Sequence, residues 1–321
     1  MNSQSLSEWP KDLSADCEKL ELYANAIKKV PPSVGDMKKL KLINCFNNKI
    51  GLSLPAEIGT LSELEEVNFA ANKLAMLKDV NFASWGNVTI LSLNDNNLGS
   101  IGSLAPLVKL EELRLFANNL EAMPTLNSHP DLKVFEIHKN RVKEVADDYF
   151  KATPALERLS IWGNQLTALP TSLTGCASLV GVQAYSNPEL ASLPAGPWPA
   201  TLETLFVQET KITKLPDSLK ACAVRCTHAR TARMHRAHTH DQGGLSVHIL
   251  CIFYAHSVHI LCTTWAAGSA QQSSAASCAC APQSDSSLPA APSPPWLLAA
   301  QARQPGQAGA RLGVGRALKG V

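Results

Sequence analysis

The chain has 321 residues, 45% of them apolar, 17% charged and 6% aromatic, with a formal net charge of +2. That composition excludes a wholly disordered chain and a small disulfide scaffold. The charge is unevenly shared: residues 1–222 hold 21 of the 29 Lys and Arg and 25 of the 27 Asp and Glu, a net −4, whereas residues 223–321 hold the other 8 basic and 2 acidic residues, a net +6. The near-neutral total describes neither part, and the acidic balance of the first part speaks against nucleic acid as a partner.

The stretch from Met1 to Ser14 has neither a basic n-region nor an apolar h-region, so the expected location is cytoplasmic. Cys17, Cys45, Cys176 and Cys222 stand singly, which predicts reduced thiols. Residues 1–16, with Trp9, Pro10 and Leu13, read as a partial first coil that forms an N-terminal cap.

From residue 17 one phrase governs the chain. Leu64-x-x-Val67-x-Phe69-x-x-Asn72-x-Leu74 fits LxxLxLxxNxL and recurs in one register. Its asparagine slot falls at Asn25, Asn48, Asn72, Asn96, Asn118, Asn140, Asn164, Asn187 and Thr210, a near-constant interval. Alternation in Leu113-Arg114-Leu115-Phe116 predicts a short strand in each coil, with the leucines inward and Arg114 and Phe116 outward. The asparagine amide is expected to be buried and to satisfy backbone groups of adjacent coils, forming a ladder. Pro31, Pro55 and Pro170 stand at equivalent places ahead of the next phrase, whose first leucines are Leu40, Leu64 and Leu179, and each starts a return segment of helical or 3₁₀ type. Val142–Ala152 is expected to be the clearest outer helix. Narrow strands inside and bulkier segments outside predict a curved α/β solenoid with a parallel concave sheet.

On these residues, 10–222 resemble an intracellular leucine-rich-repeat domain of the Leu-Pro-containing kind, similar to Ras-group repeat proteins and to regulators of type 1 protein phosphatase. The resemblance implies a horseshoe fold and leaves the partner open, because the motif residues are structural.

The register fails after Cys222. Carrying the same interval forward predicts apolar residues at 225, 228, 230 and 235 and asparagine at 233, where the chain has Arg225, His228, Arg230, His235 and Arg233. The organisation read from the sequence is therefore a cap at 1–16, nine repeats over 17–222 truncated in mid-coil, and a low-complexity, largely disordered tail over 223–321. Ser246-Val-His-Ile-Leu-Cys251 returns as Ser257-Val-His-Ile-Leu-Cys262, and the loss of register, Lys and Glu reads as translated intron or out-of-frame sequence.

Candidate chemistry is sparse. Cys222, Cys226, His228, His235, His238 and His240 approach a zinc finger, but His238 and His240 are too close together, His235 follows Cys226 too soon, and no small apolar core accompanies them. Leu245–Ala267 is long enough to span a bilayer, yet three histidines argue against it. The basic end, with Arg303, Arg311, Arg316 and Lys319, reads as a solvated tail. The sequence has no Walker loop, HExxH or GxSxG phrase, and His129 and His138 lack a motif pairing them with a nucleophile. The reading is a non-enzyme with no cofactor, no metal and no membrane partner.

The outward column after the second strand leucine is more informative: Tyr23, Phe46, Ala70, Asn94, Phe116, His138, Trp162, Tyr185 and Gln208. Beside it runs Glu21, Asn44, Asn68, Ser92, Arg114, Glu136, Ser160, Gln183 and Phe206. An aromatic ridge beside hydrogen-bonding groups suits a protein or peptide ligand. The expected binding residues are Tyr23, Phe46, Arg114, Phe116, Glu136, His138, Trp162, Gln183 and Tyr185. Phe116 and Trp162 are expected to be removable without loss of the fold. Two alternatives stand beside this: the aromatics pack on one another only to stiffen the sheet, or the array is the recruiting or sensing part of a larger kinase, phosphatase or ubiquitin ligase.

Overall fold

Each coil of the array has room for one short strand, one tight turn and a brief return, and the chain uses that arrangement throughout. The computed structural model describes residues 5–222 in full and, beyond them, only the backbone of three strands, Arg225–Thr227, Ser246–Tyr254 and Ser257–Trp265. Nine three-residue strands, from Lys19–Glu21 to Thr204–Phe206, pair in parallel, each with the next coil's strand. The register is uniform: Leu20 lies opposite Ile43, Leu91 opposite Leu113, and Val182 opposite Leu205. These central residues are buried in one continuous apolar core, as the two-residue alternation predicts. A second, two-residue pairing joins Gly51–Leu52 to Lys73–Leu74.

Among the described residues six of the return segments contain a 3₁₀ turn, within the helical or 3₁₀ type expected, and the others are turns and bends. Pro31, Pro55 and Pro170 cap Pro32–Asp36, Ala56–Thr60 and Thr171–Gly175, and Pro216 caps Asp217–Ala221. Proline suits that place because its ring fixes φ near the observed −65° to −79° and the chain needs no N–H there. The convex packing is close: at Gly59 a Cβ would stand 2.6 Å from the Asn81 carbonyl oxygen. One expectation is corrected here. The outer helix foreseen over Val142–Ala152 is only the 3₁₀ turn Tyr149–Ala152. Its first half is held in other bonds, since the Val142 N–H donates to Asn164 and the Asp147 carboxylate accepts from the Thr171 N–H and hydroxyl of the next coil.

The asparagine ladder is present in full detail. Asn118 Nδ2 donates to the carbonyls of Leu93 and Leu115, and its Oδ1 accepts from the Leu98 N–H. Asn48, Asn72, Asn96, Asn140, Asn164 and Asn187 repeat those three bonds one coil at a time. Thr210 has a shorter side chain, and its hydroxyl donates to Val207 within its own coil. The residue before each slot turns through positive φ: Ala24, Asn47, Ala71, Asp95, Ala117, Lys139, Gly163, Ser186 and Glu209. Only Gly163 takes that conformation without steric cost; seven of the other eight turns are followed by a bonded asparagine, and Glu209 is followed by Thr210.

Past Cys222 the backbone adds one more parallel strand, with Cys226 opposite Leu205. The repeat interval centres that strand on residue 228, so the chain reaches it two positions early. Ser246–Tyr254 and Ser257–Trp265, which contain the duplicated phrase, pair antiparallel with Ile249 opposite Cys262. The described part of the apolar stretch Leu245–Ala267 is thus two strands. Among the described residues no helix is long and apolar enough to cross a membrane. The histidine cluster from His228 to His240, the basic end and the rest of the expected tail lie outside the described residues.

Candidate functional site

Strands only three residues long, with neighbours in strict register, place equivalent side chains about 4.8 Å apart across the sheet. Planar rings in equivalent positions therefore meet face to face. Phe116 and His138 stack with centroids 4.4 Å apart, His138 and Trp162 at 4.6 Å, and Trp162 and Tyr185 at 4.7 Å. The interplanar angles are 7°, 13° and 11°. Four successive coils thus build one aromatic ladder, each ring half-buried. The faces between neighbouring rings are occupied by each other, so the ring edges and the two end faces are what the ladder leaves open.

A polar network runs alongside. The Ser160 hydroxyl donates to Gln183 Oε1 at 3.1 Å and meets His138 Nδ1 at 3.0 Å. Arg114 lies 3.5 Å from Glu136 through Nε, pairs with Glu112, and reaches Ser92 Oγ at 3.4 Å. Burial pushes the Glu136 carboxyl above its ordinary range, with Arg114 opposing it. His138 is depressed to about 3 by burial and the adjacent Lys139, so its ring is neutral at physiological pH. The Tyr185 phenol is pushed up to about 12, by burial and then by Glu209. Lys139 Nζ stands 5.1 Å from the Trp162 ring centre, within the range of a cation–π contact.

The expected residues therefore divide. Phe116, His138, Trp162 and Tyr185 form the ladder, while Arg114, Glu136 and Gln183 lie in the network beside it. Tyr23 and Phe46 face the same side three or more coils away, with Ala70 and Asn94 intervening, and join no described ring contact. Trp162 contacts two rings of the ladder, and Phe116 and Tyr185 contact one each. Sequence reasoning misses Glu112 and Ser160 as members of the site. Carrying the two-residue alternation one step before the first strand leucine finds Glu112, and reading the polar column for bonds between coils finds Ser160. Among the described residues no three His, Cys, Asp or Glu gather to hold a metal.

A family described as "Leucine rich repeat" matches residues 62–120. The coils over residues 62–120 thus match the leucine-rich-repeat family. The array is similar to YopM from Yersinia enterocolitica WA-314, with a TM-score of 0.55 and 23% identity over 67% of this chain and 43% of that one. In sequence it is 27% identical to lumican of Gallus gallus, over 56% of this chain and 52% of that protein. It is also 35% identical over 92 residues to PH domain leucine-rich repeat protein phosphatase 1 of Rattus norvegicus, covering 26% of this chain and 5% of that protein. The chain spans about half the length of lumican. The leucine-rich-repeat solenoid is an architecture typical of protein–protein interaction, with an extended concave surface for contact.

Proposed function

We propose that the repeat array is a non-enzymatic scaffold that binds a protein or peptide on its concave face, in cytoplasmic signalling. The observation that carries this reading is the ladder of Phe116, His138, Trp162 and Tyr185 bordered by Arg114 and Glu136. It concentrates aromatic edges and charge-assisted groups in four adjacent coils, the composition of an interface centre. Among the described residues the thiols of Cys17, Cys45, Cys176 and Cys222 are free, which supports a reducing compartment. A repeat domain with a net charge of −4 argues for protein rather than nucleic acid.

Quantitative capture from cell extract tests this with full-length protein. Phe116→Ala/Tyr185→Ala removes the two end rings, each of which has one stacking neighbour, while Val108→Lys alters an exposed side chain of the return segment. Partners retained by the wild type and Val108→Lys, and reduced at least about 10-fold by the double variant, are the expected result. Equal capture by all three contradicts the concave assignment. A second reading, that the array recruits substrate for a catalytic domain in the same gene product, is favoured by the similarity to the phosphatase. A full-length transcript encoding such a domain would establish it.

A further inference from the structure

The proton of one hydroxyl fixes the chemistry at the centre of the ladder. Ser160 Oγ has a single hydrogen, and Gln183 Oε1, a carbonyl oxygen, accepts it at 3.1 Å. The contact from Ser160 Oγ to His138 Nδ1 at 3.0 Å then requires the ring nitrogen to be the donor. His138 is thus protonated on Nδ1 and carries a lone pair on Nε2. Nε2 has no hydrogen-bond partner among the described residues and is open to solvent. The Phe116 and Trp162 rings on either side hold the imidazole in place.

We infer that His138 Nε2 is a specificity-determining acceptor that selects, on the bound protein segment, a neutral N–H or O–H donor. This rests on the proposed concave binding site. A carbonyl or carboxylate placed there would oppose lone pair to lone pair, and a cationic donor would meet Lys139, which stands over the Trp162 ring. Arg114 is already engaged by Glu112, Glu136 and Ser92, whereas His138 Nε2 has no such partner among the described residues. Flanking rings lower the local polarity and strengthen such a bond. A side-chain hydroxyl or amide meets the requirement.

Two measurements on the full-length protein test this. In long-range proton–nitrogen spectra of the ¹⁵N-labelled chain, with His138 assigned by its absence in His138→Phe, an Nδ1-protonated neutral ring is expected, and an Nε2-protonated ring overturns the inference. In the second, a random peptide library displayed on phage is selected against the immobilised chain, keeping peptides lost to Phe116→Ala/Tyr185→Ala. Alanine replacement of the peptide's donor residue is expected to weaken binding to the wild type about 5-fold and to leave binding to His138→Phe unchanged. Equal weakening on both proteins overturns the inference and leaves concave binding standing. A selection yielding no concave-dependent peptide contradicts the concave reading and the donor assignment with it.

Discussion

At the scale of single residues, the asparagine column shows how side chains of one type replace backbone pairing that a coil of this length cannot supply. Asn118 satisfies three backbone groups in the core, and Asn118→Ala strands them at about 1–3 kcal/mol each. A loss of roughly 3 kcal/mol or more in urea unfolding is the expected outcome, large against a typical total of about 5–15 kcal/mol. Two histidines bear on acid stability. His129 lies fully inside the core with Nε2 3.1 Å from the Leu104 carbonyl oxygen, and burial lowers its pKa as it does that of His138. The folded values lie below the ordinary 6.5, so the unfolded chain takes up protons first as the pH falls, and stability present above about 6.5 is lost below it. For His138 the window extends down to about 3, whereas Glu136, with a raised pKa, acts in the opposite sense. Unfolding followed from pH 7 to pH 5 should show a smaller loss in His138→Phe than in the wild type, and an identical slope would refute the burial of that imidazole.

At the scale of elements, the ladder couples four strands that the main chain joins by only a few hydrogen bonds each. Stacked pairs contribute about 0.5–1.5 kcal/mol beyond area burial. Trp162→Ala breaks two pairs and Tyr185→Ala one, so thermal unfolding is expected to fall further for the first. Equal effects would mean that the rings do not stack in solution. Stiffening and the proposed recognition are therefore compatible: the same rings brace the sheet through their faces and leave their edges open to the proposed ligand. The return segments show where pattern reading stops. Pro31, Pro55 and Pro170 marked three 3₁₀ turns, but Val142–Ala152, expected to be an outer helix, has its first half bonded instead to the neighbouring coil.

At the scale of the whole molecule, the solenoid was legible because its information is periodic: one phrase, returning at a near-constant interval, specifies strand, turn and core alike. The outward columns were legible for the same reason, as alternation fixes which side chains share a face. Contacts between columns were not, since pairs such as Ser160 with His138, or Arg114 with Glu112, depend on side-chain reach and rotamer rather than period. The positive-φ turns were hidden too, because eight of nine use residues other than glycine and so leave no compositional mark. Hydroxyl-radical footprinting of the full-length chain with and without its captured partner tests the central claim most directly, since Trp162, Tyr185 and Phe116 are oxidisable and half-buried. Concave binding predicts that oxidation of Trp162 and Tyr185 slows several-fold in the complex while that of Trp9, at the N-terminal cap, is unchanged. Protection of Trp9 with unaltered rates at Trp162 and Tyr185 would contradict it.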